Sequence, residues 1–195
     1  MDLQPEVSLR RFRELGVQDI DEMLNPYRQL GVFHDLEMGL VGREEFVARL
    51  NEHAGTALTD EEINEAIMLF LKGVPQYKFD YLEQLRKQYK IYILSNTNPY
   101  IMAYAHSPHF LPATGRTLSD YVDKVYASCE MQTMKPDRAI YEQMIADSGM
   151  VPERTLFIDD STDNLEAAAA FGLQTLLAVN GTDWRPALEA RLQHD

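Results

Sequence analysis

The chain has 195 residues, with 18 Lys+Arg against 31 Asp+Glu for a formal net charge of −13, and 45% hydrophobic and 25% charged residues; this is the balance of one globular domain, or of one domain carrying a sizeable insertion. So acidic a surface repels a nucleic-acid backbone, while a single cysteine, Cys129, and five scattered histidines supply neither an internal disulfide nor a thiolate metal cage and point to a reducing cytosol. The longest apolar run, Ala66 to Leu71, is six residues, far below the ~18 needed to span a bilayer, and the opening Met-Asp-Leu-Gln-Pro-Glu lacks the basic and apolar regions of a secretory signal, so a cytoplasmic protein without a membrane segment is expected.

In chain order, residues 5–88 read as helical throughout, with no strand. Pro5 suits a first helical position, Leu9, Phe12 and Leu15 recur at helical spacing, and Gly16 suits the residue just past the helix end. Asp19 followed by Glu22 predicts a capping box opening a short helix through Leu24, and Thr59 with Glu62 a second one. Between them Arg43 to Glu52 places Phe46, Val47 and Leu50 on one face; the helix after Thr59 carries Ile63, Ala66, Ile67, Leu69, Phe70 and Leu71; Tyr77 to Gln88 predicts a further helix with Leu82 and Leu85 on its face. Phe33–Met38 and Arg43 are candidates to line a substrate side, and equally suit ordinary packing.

Residues 89–195 alternate between strand and helix. Ile91 to Leu94, Lys124 to Ser128, Leu156 to Ile158 and Thr175 to Val179 predict four short strands. Helices are predicted from Pro136-Asp137 to Gly149 and from Thr162 to Phe171, ending at Gly172. This pattern predicts an α/β fold with a Rossmann-like parallel sheet, in which ligands bind beyond the carboxyl ends of the strands.

The strand ends carry distinctive chemistry. After the first comes Ser95-Asn96-Thr97-Asn98, whose hydroxyl and amide groups suit an oxyanion and also suit a polar turn. Before the first of the two helices stands Lys135, next to Pro136 at the expected first helical position; a cation there gains nothing from the helix dipole, which makes an anionic partner the expectation, although most lysines are merely solvated. After the third strand comes Asp159-Asp160-Ser161-Thr162-Asp163-Asn164. Adjacent carboxylates at a sheet mouth call for a cation, and Mg2+ suits oxygen ligands, while a helix cap with a solvated first turn is the plainer alternative. An EF-hand is excluded, because its glycine is missing and the twelfth position from Asp159 is Ala170. A strand-end Ser-Asn, a Lys and a strand-end acidic pair together are what phosphoryl transfer needs.

In this order the motifs resemble the haloacid dehalogenase (HAD) superfamily of hydrolases, in the helical-cap branch similar to sugar-phosphate phosphatases and the phosphatase half of soluble epoxide hydrolase. Ile93-Leu94-Ser95-Asn96-Thr97-Asn98 matches the second family motif, Lys135-Pro136 the third, and Phe157-Ile158-Asp159-Asp160 with Asn164 the fourth. The resemblance implies residues 5–88 as a helical cap with its connections and 89–195 as the α/β core. It implies Ser95 and Asn96 as phosphate-binding, Lys135 as a catalytic and phosphate-binding residue, Asp160 as a Mg2+ ligand, and Asp159 and Asn164 as supporting groups. The implied activity is Mg2+-dependent hydrolysis of a small phosphorylated metabolite such as a sugar phosphate. A receiver domain uses similar groups but places its acidic pair early and its Lys last, the opposite order.

One departure stands out. The family's first motif, Asp-x-Asp or Asp-x-Gly at the end of an N-terminal strand, supplies the nucleophile, and only Met1-Asp2-Leu3-Gln4 precedes the expected cap. The central first strand is therefore expected to be absent, leaving its neighbours about 9–10 Å apart instead of ~4.8 Å. The expectation is an N-terminally shortened, inactive form, the alternative being a non-catalytic homologue that binds a phosphate ligand or a protein partner. His34, His106, His109 and Trp184 are assigned no chemistry, and the nine methionines read as core filling.

Overall fold

A computed structural model describes residues 2–24, 30–179 and 181–192; Met1 lies outside them. The chain forms two compact units, Met1–Thr133 and Met134–Asp195.

The first unit opens with β1 (Asp2–Leu3) and the helices α1 (Pro5–Glu14), α2 (Ile20–Met23), α3 (Gly31–Glu37), α4 (Arg43–Ala54) and α5 (Asp60–Met68). Pro5 stands at the start of α1 as expected, and Gly16 follows its end at φ +101°, a conformation that costs glycine little. The apolar stripes of these helices converge on a core in which Phe12, Leu36, Phe46, Leu50 and Ile63 are fully buried. Phe12, Phe33, Phe46 and Tyr100 meet edge to face in sequence, with centroids 5.6, 5.0 and 6.1 Å apart, a geometry set by the ring quadrupole. Thr59 and Glu62 form the predicted reciprocal capping box at α5.

Three local expectations are corrected. Residues 5–88 do contain a strand: β2 (Leu71–Gly73) pairs antiparallel with β1, so α5 stops at Met68 rather than Leu71. Three residues are too few to show a period of two, and Gly73 takes φ +120°, which no helix accommodates. Asp19 makes no cap bond to α2 and instead hydrogen-bonds His53 Nε2 at 2.6 Å, which holds its carboxyl below the usual range. In α6 (Gln76–Leu85) the buried face is Lys78, Phe79 and Tyr81, with Leu82 half-buried beside it.

The unit continues with β3 (Tyr92–Ser95), α7 (Pro99–Ala105), β4 (Lys124–Ala127) and the one-turn α8 (Ser128–Met131). β3 and β4 run parallel in a two-stranded ladder that sets Ser95 opposite Ala127. Tyr100 of α7 donates to Asp60 Oδ1 at 2.7 Å under the Arg43 guanidinium, which also pairs with Asp60. The helices before β2 are thereby tied to the helix that follows β3.

The second unit is α9 (Arg138–Ser148), β5 (Leu156–Asp159), α10 (Thr162–Ala169), β6 (Gln174–Leu177) and α11 (Arg185–Leu192). β5 and β6 form a second parallel ladder, Asp159 opposite Leu177. Tyr141 of α9 packs between Phe157 and Phe171 and donates its hydroxyl to the Asn164 carbonyl at 2.9 Å. Helix α9 begins at Arg138, so Pro136 precedes the cap residue Asp137 instead of occupying the first helical position. Among the described residues no helix is long and apolar enough to cross a membrane.

Candidate active site

Several polar residues at the end of β3 and after it hold the backbone. Asn98 is buried and spends its Oδ1 on the N–H groups of Tyr100 and Ile101, each at 3.1 Å, as the N-cap of α7. The buried Ser128 hydroxyl accepts from Thr97 N at 2.9 Å and donates to Thr97 O at 3.1 Å. This double link pins the turn after β3 to the end of β4, and the sequence carries no sign of it. Ser95 and Asn96 are half-buried, and Ser95 Oγ makes only a long 3.3 Å bond to the Asn96 carbonyl, one that a better acceptor displaces. Thr97 Oγ1 is buried without a hydrogen-bond partner among the described residues.

In the second unit, Lys135 and Asp159 meet at 2.6 Å with side chains only 10% and 6% exposed. Asp159 accepts in addition from Ser161 N and Asn164 Nδ2, both at 2.9 Å. Its two oxygens are thus shared among an ammonium, a backbone donor and an amide, while Ser161 caps α10. The anionic partner expected for Lys135 is Asp159. Asp160, the next residue, is exposed, and among the described residues no ion pair or hydrogen bond ties it down. The adjacent carboxylates thus differ in surroundings: Asp159 is buried against the lysine, and Asp160 faces solvent. Among the described residues no three His, Cys, Asp or Glu side chains gather as a metal cage.

Phe33–Met38, a candidate to line a substrate side, contains Glu37, whereas Gly39 just beyond it was not singled out by the sequence. At the end of α3, Gly39 (φ +65°) lies so close to Cys129 that an added Cβ would fall 2.0 Å from the Cys129 carbonyl oxygen. Two residues earlier, Glu37 has its carboxyl pushed up to about 7 by desolvation, and together with Glu130 and burial it helps push the Cys129 thiol up to about 11. Of the histidines, His106 meets Ser119 Oγ at 3.0 Å through Nδ1, an exposed contact.

Ser95 and Asn96 stand at the end of one parallel ladder in the first unit, and the buried Lys135–Asp159 pair with its neighbour Asp160 at the end of another in the second. The haloacid dehalogenase-like hydrolase family model matches residues 7–172, and the chain belongs to that family, with its α/β fold. It is 39% identical over 188 residues, 96% of this chain and 91% of the relative, to a D-ribitol-5-phosphate phosphatase of Bacteroides thetaiotaomicron. The solved structure of a HAD-like family hydrolase from Porphyromonas gingivalis is similar at 47% identity and TM-score 0.93, covering 100% of this chain and 93% of that one. A HAD-family enzyme from Bacteroides thetaiotaomicron, an aspartate-to-alanine variant in complex with magnesium and inorganic phosphate, is similar at 33% identity and TM-score 0.90, covering 96% of this chain and 92% of that one.

Proposed function

We propose that the chain recognises the phosphoryl group of a small sugar or sugar-alcohol phosphate together with Mg2+, as the binding half of a phosphomonoester hydrolase. The observation that carries this reading is the buried Lys135–Asp159 pair beside the open Asp160 carboxylate. A buried lysine held by one carboxylate presents a fixed positive charge, and an exposed carboxylate one residue along has no cation of its own. The phosphatase and the magnesium–phosphate complex among its relatives support the same assignment.

In this reading Ser95 and Asn96 donate to phosphoryl oxygens, Lys135 neutralises phosphoryl charge, and Asp159 and Asn164 hold Lys135 and the turn in place. Asp160 would hold Mg2+, which when bound supplies Lewis-acid neutralisation of the phosphate. Residues 5–88 act as the cap and 89–195 as the core.

Calorimetric titration of inorganic phosphate in the presence of Mg2+ tests this. Binding is expected, weakened roughly 10–100-fold by Lys135→Ala, the loss of one hydrogen bond to a charged group. A chain that binds no phosphate, or in which Lys135→Ala binds as well as the parent, contradicts the reading.

A further inference from the structure

We propose that Ser128 is a positioning residue for the turn after β3, its hydroxyl holding the Thr97 backbone so that Ser95 and Asn96 meet a phosphoryl group in one fixed arrangement. The proposal rests on the phosphate reading above and adds a residue that acts on the ligand only through Thr97.

The β3–β4 ladder ends at the Ser95–Ala127 pair. Beyond it the two chains part, Ser95 leading into the turn and Ala127 into α8. Backbone pairing therefore stops just where the turn begins, and Ser128, the first residue of α8, continues the link with its side chain. Thr97 N–H donates to Ser128 Oγ at 2.9 Å, and Oγ donates to the Thr97 carbonyl at 3.1 Å. A hydroxyl is the smallest side-chain group that accepts and donates at once. Ser128 is fully buried and Thr97 nearly so, and in such a place a lost partner leaves backbone groups unpaired.

The anchor is itself held. Ala127, just before it, is paired in the ladder. The Cys129 carbonyl, just after it, is approached by Gly39 so closely that a Cβ there would fall 2.0 Å away. Gln132 Nε2 donates to the Gly39 carbonyl at 3.4 Å. The one-turn helix α8 is thus fixed between β4 and the residues that follow α3. At the far end of the turn, Asn98 Oδ1 accepts from Tyr100 N and Ile101 N as the cap of α7. Asn96 lies between a ladder residue and a residue tied to Ser128.

The Thr97 side chain does not account for the position of Thr97, since its Oγ1 is buried without a hydrogen-bond partner among the described residues. Ser128 holds the main chain instead, and the course of the main chain decides where Ser95 and Asn96 stand. Ser95 Oγ makes only the long 3.3 Å bond to the Asn96 carbonyl, so a weakly committed hydroxyl is carried on a fixed backbone. Donors fixed in advance bind an anion without the entropic cost of ordering them. Without the Ser128 link, phosphate would have to order the turn as it binds.

The test is calorimetric titration of inorganic phosphate, with Mg2+ present, into the full chain and its Ser128→Ala, Ser128→Cys and Leu50→Ala variants, below their melting transitions. Ser128→Cys replaces the hydroxyl by a weak donor and acceptor of similar shape. Leu50→Ala is the control for a general loss of stability, because Leu50 is fully buried in the core of the helices before β2. Ser128→Ala is expected to bind phosphate about tenfold more weakly, the scale of ordering one backbone residue on binding. Ser128→Cys should also bind more weakly than the parent. Leu50→Ala should stay within about twofold of the parent's affinity despite its lower melting temperature, as expected of a distant site. In Ser128→Ala the Thr97 amide should exchange its hydrogen faster than in the parent, and saturating phosphate should slow it. Parental affinity in both Ser128 variants overturns the role of Ser128 alone. An equal loss in Leu50→Ala also overturns it, because general loosening then suffices. If Ser128→Ala does not fold, Ser128→Cys decides between these outcomes. Failure of the parent chain to bind phosphate overturns the phosphate reading, and this proposal with it.

Discussion

Asp159→Ala is expected to lower the unfolding free energy by roughly 3–5 kcal/mol, because it takes away the carboxylate that pairs with a buried ammonium. Lys135 is only 10% exposed and its 2.6 Å contact is to Asp159. The same substitution removes the acceptor for Ser161 N and Asn164 Nδ2, loosening the start of α10. Against a typical domain stability of about 5–15 kcal/mol this is a large fraction, and the variant should be partly unfolded in mild denaturant. Phosphate affinity should fall with it, since Lys135 is no longer held. The double variant Lys135→Met/Asp159→Leu separates the two effects. Removing both charges relieves the burial cost, so stability should recover towards that of the parent. Phosphate binding should stay lost. Urea titrations of the three proteins followed by phosphate calorimetry check both halves; a double variant that still binds phosphate removes Lys135 from the site.

The second large effect is a dependence of stability on pH that originates in Glu37. Its folded-state pKa of about 7 lies above the ordinary 4.5, so between those values the folded chain binds more protons than the unfolded one. The contribution to stability is fully present below about pH 4.5 and is lost as pH rises through about 7. At one pKa unit per 1.36 kcal/mol, the loss amounts to about 3 kcal/mol at full ionisation. The neighbouring Cys129 thiol, at about 11, stays protonated throughout this interval. Glu37→Gln should abolish this part of the slope. The variant should be more stable than the parent by up to about 3 kcal/mol near pH 8 and similar to it near pH 4.5. Urea unfolding at both pH values measures the difference; equal stabilities of parent and variant near pH 8 would mean that Glu37 is solvated.

What the sequence revealed of this molecule depended on how local the physics was. Ile93-Leu94-Ser95 and Phe157-Ile158-Asp159 combine a short apolar run with an abrupt polar end, so both strands and their functional termini were legible, to within a residue of the observed ladders. The Thr59–Glu62 capping box was legible because its partners are three residues apart. Asp19 and Glu22 have the same spacing, but the Asp19 carboxylate is engaged by His53, 34 residues away, and no local pattern reports that competition. The β1–β2 pair escaped notice because its strands have two and three residues. That Asp159 and Asp160 differ in role was an implication of the family resemblance alone; no local pattern separates two adjacent carboxylates just where β5 ends. Glu37 falls within the Phe33–Met38 stretch named as a candidate substrate side, but the desolvation of its carboxyl was not legible, because a lone glutamate near a helix end reads as a solvated residue. The approach of Gly39 to the Cys129 backbone spans 90 residues of sequence, and no local pattern reports it.

The central claim, that a phosphoryl group and a divalent cation are bound together by these residues, is tested most directly by titrating inorganic phosphate into the parent chain and into Asp160→Asn, each with and without Mg2+. Mg2+ is expected to strengthen phosphate binding to the parent by at least about tenfold, and Asp160→Asn to abolish that enhancement while leaving the metal-free affinity within about twofold. Phosphate affinity indifferent to Mg2+ in the parent, or an enhancement that survives in Asp160→Asn, would contradict the claim.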